Sequence, residues 1–326
     1  MTDTRPALLT PAFRALSARL GQDPLQVQGP GGNTSIKDNE VMWIKASGTE
    51  LANAETQDIF VAVDRLAAMA EARQEAGDGS CKATVIDPAI TLRPSIETTF
   101  HAALEHAVVA HTHSIATITH AISPQGRAAL SDKLSGLSYA LVPYAKPGLP
   151  LTSEILARIT PDTSVIILQN HGLICCGASV EEVTERIATV EARLDMPTRT
   201  SPATGPTVAP PDGFEWAAEQ SWIAQEPRAT ELALAGSYYP DHVVFLGPAL
   251  PAFDHEGNPP AFLVKGQGIA LRHGATTSQK AMLRCLSDVL SRLPADWSVD
   301  PIGQAAEASL LNWDAEKYRQ ALAARE

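Results

Sequence analysis

Apolar residues recur along the chain with two periods, and the changes between them divide it into elements. Phe13, Leu16 and Leu20 lie at helical spacing behind Thr10-Pro11. A hydroxyl cap followed by proline at the first helical position opens a helix there, and Gly21 closes it. Shorter runs at 41–45 and 59–63, rich in β-branched and aromatic residues, read as strands. A turn at Asp38-Asn39 precedes the first, and a helix over 64–75 follows the second. Ile96, Phe100, Ala103, Leu104 and Ala107 return to helical spacing, with Ser95 as the expected N-cap. The runs 107–110 and 164–168 are short and apolar, as buried strands are. A strand ending at Val142 passes into a loop at 143–148, and a helix over 153–159 follows. Ser179 and Glu182 form a capping box ahead of a helix that reaches Leu194 and keeps Val183, Ile187, Val190 and Leu194 on one side.

Residues 196–213 break this pattern with Pro197, Pro202, Pro206, Pro210 and Pro211 among few apolar residues. They read as a linker that bounds a main domain over 1–195. Beyond it, a helix around 214–225, a strand at 242–246, a hairpin through 261–271 and helices near 278–292 and 304–323 predict a small α/β unit over 214–326. No ligand cluster or nucleophile stands out there. His242, His255 and His273 are scattered, and the role of the unit is open between capping the site, assembly and plain packing.

The chemistry concentrates in the main domain. Side chains alternate faces along a strand, so His111 and His113 in His111-Thr112-His113 point to one side of a sheet. His171 follows the strand at 164–168, where the chain would turn through Gly172 into Leu173-Ile174-Cys175-Cys176. Three neutral imidazoles with one position left open describe a catalytic zinc site rather than a closed structural one. Two satisfied core histidines are the competing reading of the pair, and His171 weighs against it.

Glu97 falls in the first turn of its expected helix, where a carboxylate is favoured by about 0.3–1 kcal/mol and where it also suits a general base. His101 and His106 fall on or near the polar side of that helix, as surface or supporting residues rather than ligands, and His120 is too far along the chain to share the face of the pair. Gly29-Pro30-Gly31-Gly32-Asn33-Thr34-Ser35 and Ala46-Ser47-Gly48-Thr49 offer amides and polar side chains that could bind phosphate oxygens. The first is not a Walker loop and lacks the dinucleotide spacing, so a plain turn between strands competes. Tyr144, just after a strand, either faces a cleft or keeps a buried, bonded hydroxyl.

Composition narrows the partners. The chain has 326 residues, 44% of them hydrophobic, enough for a main domain with an appendage. A net charge of -12 and a pI near 5.2 argue against a nucleic-acid or anionic-membrane surface and favour a soluble enzyme of small metabolites. Cys81, Cys175, Cys176 and Cys285 form no C-x-x-C pair and read as reduced, buried thiols of a cytoplasmic protein. The first ten residues lack a basic segment followed by an apolar stretch, and no long apolar run suggests a membrane span.

Taken together, Gly31-Gly32-Asn33-Thr34-Ser35, Ala46-Ser47-Gly48, Pro94-Ser95-Ile96-Glu97, His111-Thr112-His113 and Asn170-His171-Gly172-Leu173 stand in an order and spacing that resembles the class II aldolase/adducin family over residues 10–195. The resemblance implies a three-layer α/β/α fold with a central, mainly antiparallel sheet, here followed by the small C-terminal α/β domain. It implies zinc, or another divalent metal such as manganese or cobalt, on His111, His113 and His171. It further implies Glu97 as the catalytic acid/base and Asn33, Ser47, Gly48 and Ser95 around a phosphate. Tyr144 in Pro143-Tyr144-Ala145 resembles a tyrosine that, in the sugar-phosphate aldolases, reaches a neighbouring subunit's site and protonates the aldehyde. Those aldolases are ring-like homotetramers, so a homo-oligomer is implied.

One departure bears on substrate: sugar-phosphate members often carry two serines directly before the glutamate, whereas Ile96 intervenes here between Ser95 and Glu97. This variant, with a segment like that at 241–274, is similar to the aldolase part of bifunctional aldolase/short-chain dehydrogenase proteins, although no dinucleotide fingerprint occurs in the sequence.

The expected reaction is retro-aldol cleavage of a ketose or ketose 1-phosphate to dihydroxyacetone, or its phosphate, and a small aldehyde. Pentulose-phosphate 4-epimerisation and decarboxylation of a 3-keto sugar acid are alternatives on the same site. A non-catalytic adducin-like assembly module predicts missing histidines, and a zinc hydrolase a second acid/base pair; neither pattern is present.

Overall fold

The computed structural model describes residues 4–199, 205–253 and 259–325. The first part runs α1 (Pro11–Gln22), β1 (Asn33–Lys37), β2 (Val41–Lys45), β3 (Phe60–Asp64), α2 (Arg65–Ala72), α3 (Thr98–Ala103), β4 (Val108–Thr112), α4 (Ile115–Ala121), α5 (Pro124–Lys133), β5 (Tyr139–Val142), α6 (Leu149–Leu156), β6 (Val165–Leu168), β7 (Gly172–Gly177) and α7 (Val180–Leu194). The second runs β8 (Phe214–Trp216), α8 (Pro227–Ala235), α9 (Pro240–Leu246), β9 (Ala261–Val264), β10 (Gly268–Arg272), α10 (Thr277–Arg292), α11 (Gln304–Leu311) and α12 (Asp314–Ala323).

A seven-stranded sheet in the order β3-β2-β1-β4-β7-β6-β5 forms the middle layer. Its pairings are antiparallel except β5 with β6, so the sheet is mainly antiparallel, as expected. The alternation of strand side chains builds a layer on each face. Val165 and Ile167 of β6 join Phe13 and Leu16 of α1 and Val183 and Val190 of α7 on one side. Ile166 and Leu168 join Phe100 of α3 and Ile155 of α6 on the other. Strands buried on both faces read as continuous apolar runs.

Antiparallel pairing also gathers one end of three central strands. Asn33 at the start of β1 lies opposite His111 near the end of β4, and Leu168 closes on Gly172 at the start of β7. The residues expected to carry the chemistry therefore meet at a single edge of the sheet.

The C-terminal segment has its own antiparallel sheet, β8-β10-β9, and its core cluster takes in residues of the first part. Ile115, Ile118 and Ile122 on and beside α4 pack in one cluster with Tyr238, Phe245, Leu286 and Val289. Within the expected linker, Arg199 and Thr207 hydrogen-bond to Ser291 and Gln267; residues 200–204 lie outside the described residues.

Several boundaries differ from expectation. The run 242–246 is helical, not a strand: Pro240 takes the first turn of α9, Gly247 (φ 89°) ends it, and all its residues are buried, so its apolar β-branched content reflects burial rather than strand pairing. The expected helix at 214–225 is instead β8 followed by a short 3-10 turn, because Phe214-Glu215-Trp216 pairs with β10. The helix expected over 304–323 breaks at Asn312-Trp313 into α11 and α12. The helix expected from Ser95 begins only at Thr98, because the Ser95 hydroxyl takes the Glu97 amide at 3.2 Å and the Asn33 amide at 3.1 Å. All four cysteines are buried with free thiols, and no helix among the described residues is long and apolar enough to cross a membrane.

Candidate metal centre

β4 presents His111 and, one residue past its end, His113; the tight connection from β6 to β7 presents His171. Their ring centroids lie 4.9, 5.0 and 5.3 Å apart, and one ligand atom from each falls within 4.8 Å of the others. The three are buried. Burial pushes His113 and His171 down to about 3, outweighing the opposing pull of Asp241 on the first and Glu97 on the second. These two are thus neutral near pH 7, the form that ligates a metal.

Glu97, 4% exposed, faces the triad. Its Oε2 lies 3.5 Å from His111 Nε2 and its Oε1 lies 3.6 Å from His171 Nε2. Neither Oε1 nor His111 Nε2 has a hydrogen-bond partner. Buried polar atoms are rarely left so, and a shared divalent cation satisfies this donor set. The other nitrogen of His111, Nδ1, donates to the Leu173 carbonyl at 3.0 Å across the β4–β7 ladder, which leaves the Nε2 lone pair pointing at the site. The residues present therefore fit a divalent metal.

Behind Glu97 stands a relay. Asn33 Nδ2 donates to Glu97 Oε2 at 2.8 Å. Asn33 Oδ1 accepts from His101 Nε2, and His101 Nδ1 accepts from the Ser35 hydroxyl at 2.7 Å. His101 is fully buried, and burial, then Lys37, holds it well below its usual range, which keeps the neutral tautomer this chain of bonds requires. It is a supporting residue on the buried face of α3, not the polar one.

Asn33, Ser47, Gly48 and Ser95, the residues expected around a phosphate, line one pocket with Glu97, His113 and His171. The bridge between Ala46 and Pro94 brings the loops 46–48 and 94–97 together. Lys45 clamps the glycine-rich loop from below, its ammonium donating to the carbonyls of Pro30 and Gly32 at 2.9 and 3.0 Å; burial, then Arg319, pushes it down to about 7. Ile96 also lines the pocket, with a side chain that offers no hydroxyl.

Two lining residues come from the C-terminal segment, in which sequence reasoning found no site residue: Asp241 of α9 and Arg319 of α12. No motif announces them. α12 stands over the loop 46–48 so closely that a Cβ on Gly48 would fall 2.3 Å from Leu322. A wider cavity of about 510 Å³ adjoins the pocket and shares Ser47, Ile96 and Pro147. At its rim Arg93 stacks on Tyr318 at 3.9 Å and Lys146 on Trp313 at 4.5 Å.

Tyr144 does not join Glu97 in this pocket. Its hydroxyl is buried without a hydrogen-bond partner, and burial, then Glu316, pushes it up to about 12. His120 is buried in α4 with Nδ1 at the Ala116 carbonyl, and His242 is buried in α9; neither belongs to the triad. His255 lies outside the described residues.

A sequence profile of the class II aldolase and adducin N-terminal domain matches residues 14–197. The uncharacterized oxidoreductase YuxG of Bacillus subtilis is 28% identical over 189 residues, covering 52% of this chain and 27% of its own length. The L-fuculose phosphate aldolase of Methanocaldococcus jannaschii is 26% identical over 187 residues, covering 53% of this chain and 87% of its own. The N-terminal class II aldolase domain of a conserved protein from Thermoplasma acidophilum superposes with a TM-score of 0.50 at 26% identity, covering 56% of this chain and 90% of that one.

Proposed function

Since the chain belongs to the class II aldolase and adducin family, we propose that it is a zinc-dependent carbon–carbon lyase that cleaves a ketose or ketose 1-phosphate into dihydroxyacetone, or its phosphate, and a small aldehyde. The observation that carries this reading is the Glu97 carboxylate facing His111 and His171 at 3.5 and 3.6 Å inside a pocket of polar side chains. A divalent ion on His111, His113 and His171 would supply Lewis-acid polarisation of substrate oxygens.

The chain's own part is proton handling and orientation. Asn33 holds Oε2 of Glu97 by a hydrogen bond, so Oε1, which would face the cation in the resting site, is the atom assigned to exchange the proton with the carbon whose bond breaks once substrate oxygens take that place. Ser47, Gly48 and Ser95 are assigned to the end of the substrate remote from that bond. The match to an L-fuculose phosphate aldolase supports a sugar phosphate, while Ile96 and the close approach of Leu322 to Gly48 narrow the space for a phosphate. Tyr144, assigned to the aldehyde oxygen of a second copy's site, serves there only if its hydroxyl, buried in this chain, turns outward on assembly, which ties the reading to a homo-oligomer.

The test is an assay of zinc-loaded protein against ketose 1-phosphates and free ketoses, with products identified, beside Glu97→Gln. Aldehyde and dihydroxyacetone (phosphate) are expected, with turnover down about 10²–10⁴-fold in the variant at unchanged metal content. An epimer or carbon dioxide as product, or full turnover by the metal-loaded variant, overturns the reading.

A further inference from the structure

The three histidines are not held alike. His111 has its Nδ1 fixed by a carbonyl of the neighbouring strand. His113 lies one residue beyond β4, outside the strand register, and its ring makes no such contact within the sheet. What its Nδ1 faces is Asp241 Oδ2, 3.4 Å away. That carboxylate is fixed on its far side by Arg319, whose guanidinium donates to Oδ1 at 2.8 Å and to Oδ2 at 3.1 Å, and Glu316 braces the same guanidinium at 2.9 Å. Asp241, Glu316 and Arg319 are 2, 1 and 7% exposed. Burying such a group is unfavourable unless its charges are matched in good geometry, so the trio is a rigid mount rather than a surface ion pair. The backbone leaves room for it: a Cβ on Gly31 would fall 2.8 Å from His113 Nδ1 and 3.0 Å from Asp241 Oδ2.

We propose that Asp241, mounted on Arg319, is a positioning residue of the metal centre. It holds the His113 ring through Nδ1–H and leaves Nε2 for the cation. A ligating imidazole commonly needs such a partner for its second nitrogen, and here the partner comes from outside the residues that match the family. Residues 214–326 thereby complete the centre. The inference rests on the reading that the three histidines hold a divalent ion.

The test is cobalt(II) titration of the full-length, metal-free protein, followed by visible absorption and by competition with a chromophoric chelator. Asp241→Asn is expected to weaken cobalt binding about 10–100-fold and to alter the ligand-field bands, with Asp241→Glu recovering part of the loss. A purely structural role for Asp241 lowers the unfolding midpoint but leaves cobalt affinity and spectrum within twofold of the parent, and that result overturns the proposal. Should Asp241→Asn not fold, the imidazole nitrogens of the metal-free parent decide by ¹⁵N NMR: His113 protonated at Nδ1 supports the assignment, and protonated at Nε2 removes it. A parent that binds no cobalt defeats the metal reading itself, while the tautomer still decides what Asp241 does.

Discussion

Asn33 cannot turn its amide without breaking a bond on either side, because His101 donates to its oxygen and Glu97 accepts from its nitrogen. His101→Phe is expected to lower turnover about tenfold or more with metal content unchanged, and to destabilise the fold by about 1–3 kcal/mol through the orphaned Ser35 and Asn33 groups. Metal analysis beside steady-state kinetics checks it; equal turnover would make the relay structural only. A second buried residue sets a pH dependence. Burial, then Arg65, pushes Lys37 down to about 7, and its ammonium has no hydrogen-bond partner. Between that value and the ordinary lysine range the unfolded chain binds more protons, so stability rises with pH from about 7 toward about 10. Below about 7 the folded protein carries the full penalty, on the order of a few kcal/mol. Lys37→Met should flatten that part of the rise and stabilise the protein at pH 6, as urea titrations across pH will show. The triad was legible because strand alternation turns H-x-H into a shared face. His101, Asp241 and Arg319 were not: the first depends on where α3 begins, and the others reach the site across more than a hundred residues of sequence.

Two helices with a hydroxyl cap in the sequence, α1 and α7, begin where that cap predicted. Thr10 caps α1 by accepting from the Phe13 amide at 3.2 Å, and Ser179 caps α7 by accepting from the Glu182 amide at 3.3 Å, although Glu182 bonds Ala178 rather than closing a full box. At α9 the Pro240 start and Gly247 stop were also in the sequence, but the four apolar residues Val243 to Leu246 outweighed them. Composition misleads where an element is buried on every side, since burial selects the same residues that strands do. α4 shows what such burial is worth. Ile118 is fully buried between the main sheet and α10, so Ile118→Ala should cost about 2–5 kcal/mol in chemical denaturation. A loss below 1 kcal/mol would mean that the two sides of the linker are only loosely joined.

At the scale of the molecule, the segment after the linker shares a core with the residues before it and walls the pocket. A fragment ending at Arg199 would expose Ile115, Ile118 and Ile122 and lack Asp241. It should aggregate or lose near-UV circular dichroism, whereas the full chain gives a single cooperative unfolding transition; a well-folded, monomeric fragment would refute this. The composition shift over 196–213 was readable, but the packing across it was not, because no local pattern encodes which distant face a helix such as α4 covers. The placement of α12 over the loop at Gly48 has a practical outcome for engineering. The same helix carries Leu322 against Gly48 and Arg319 against Asp241, so grafting it from one homologue to another would reshape the pocket wall and disturb the His113 side together, unless Glu316 and Arg319 travel with it unchanged.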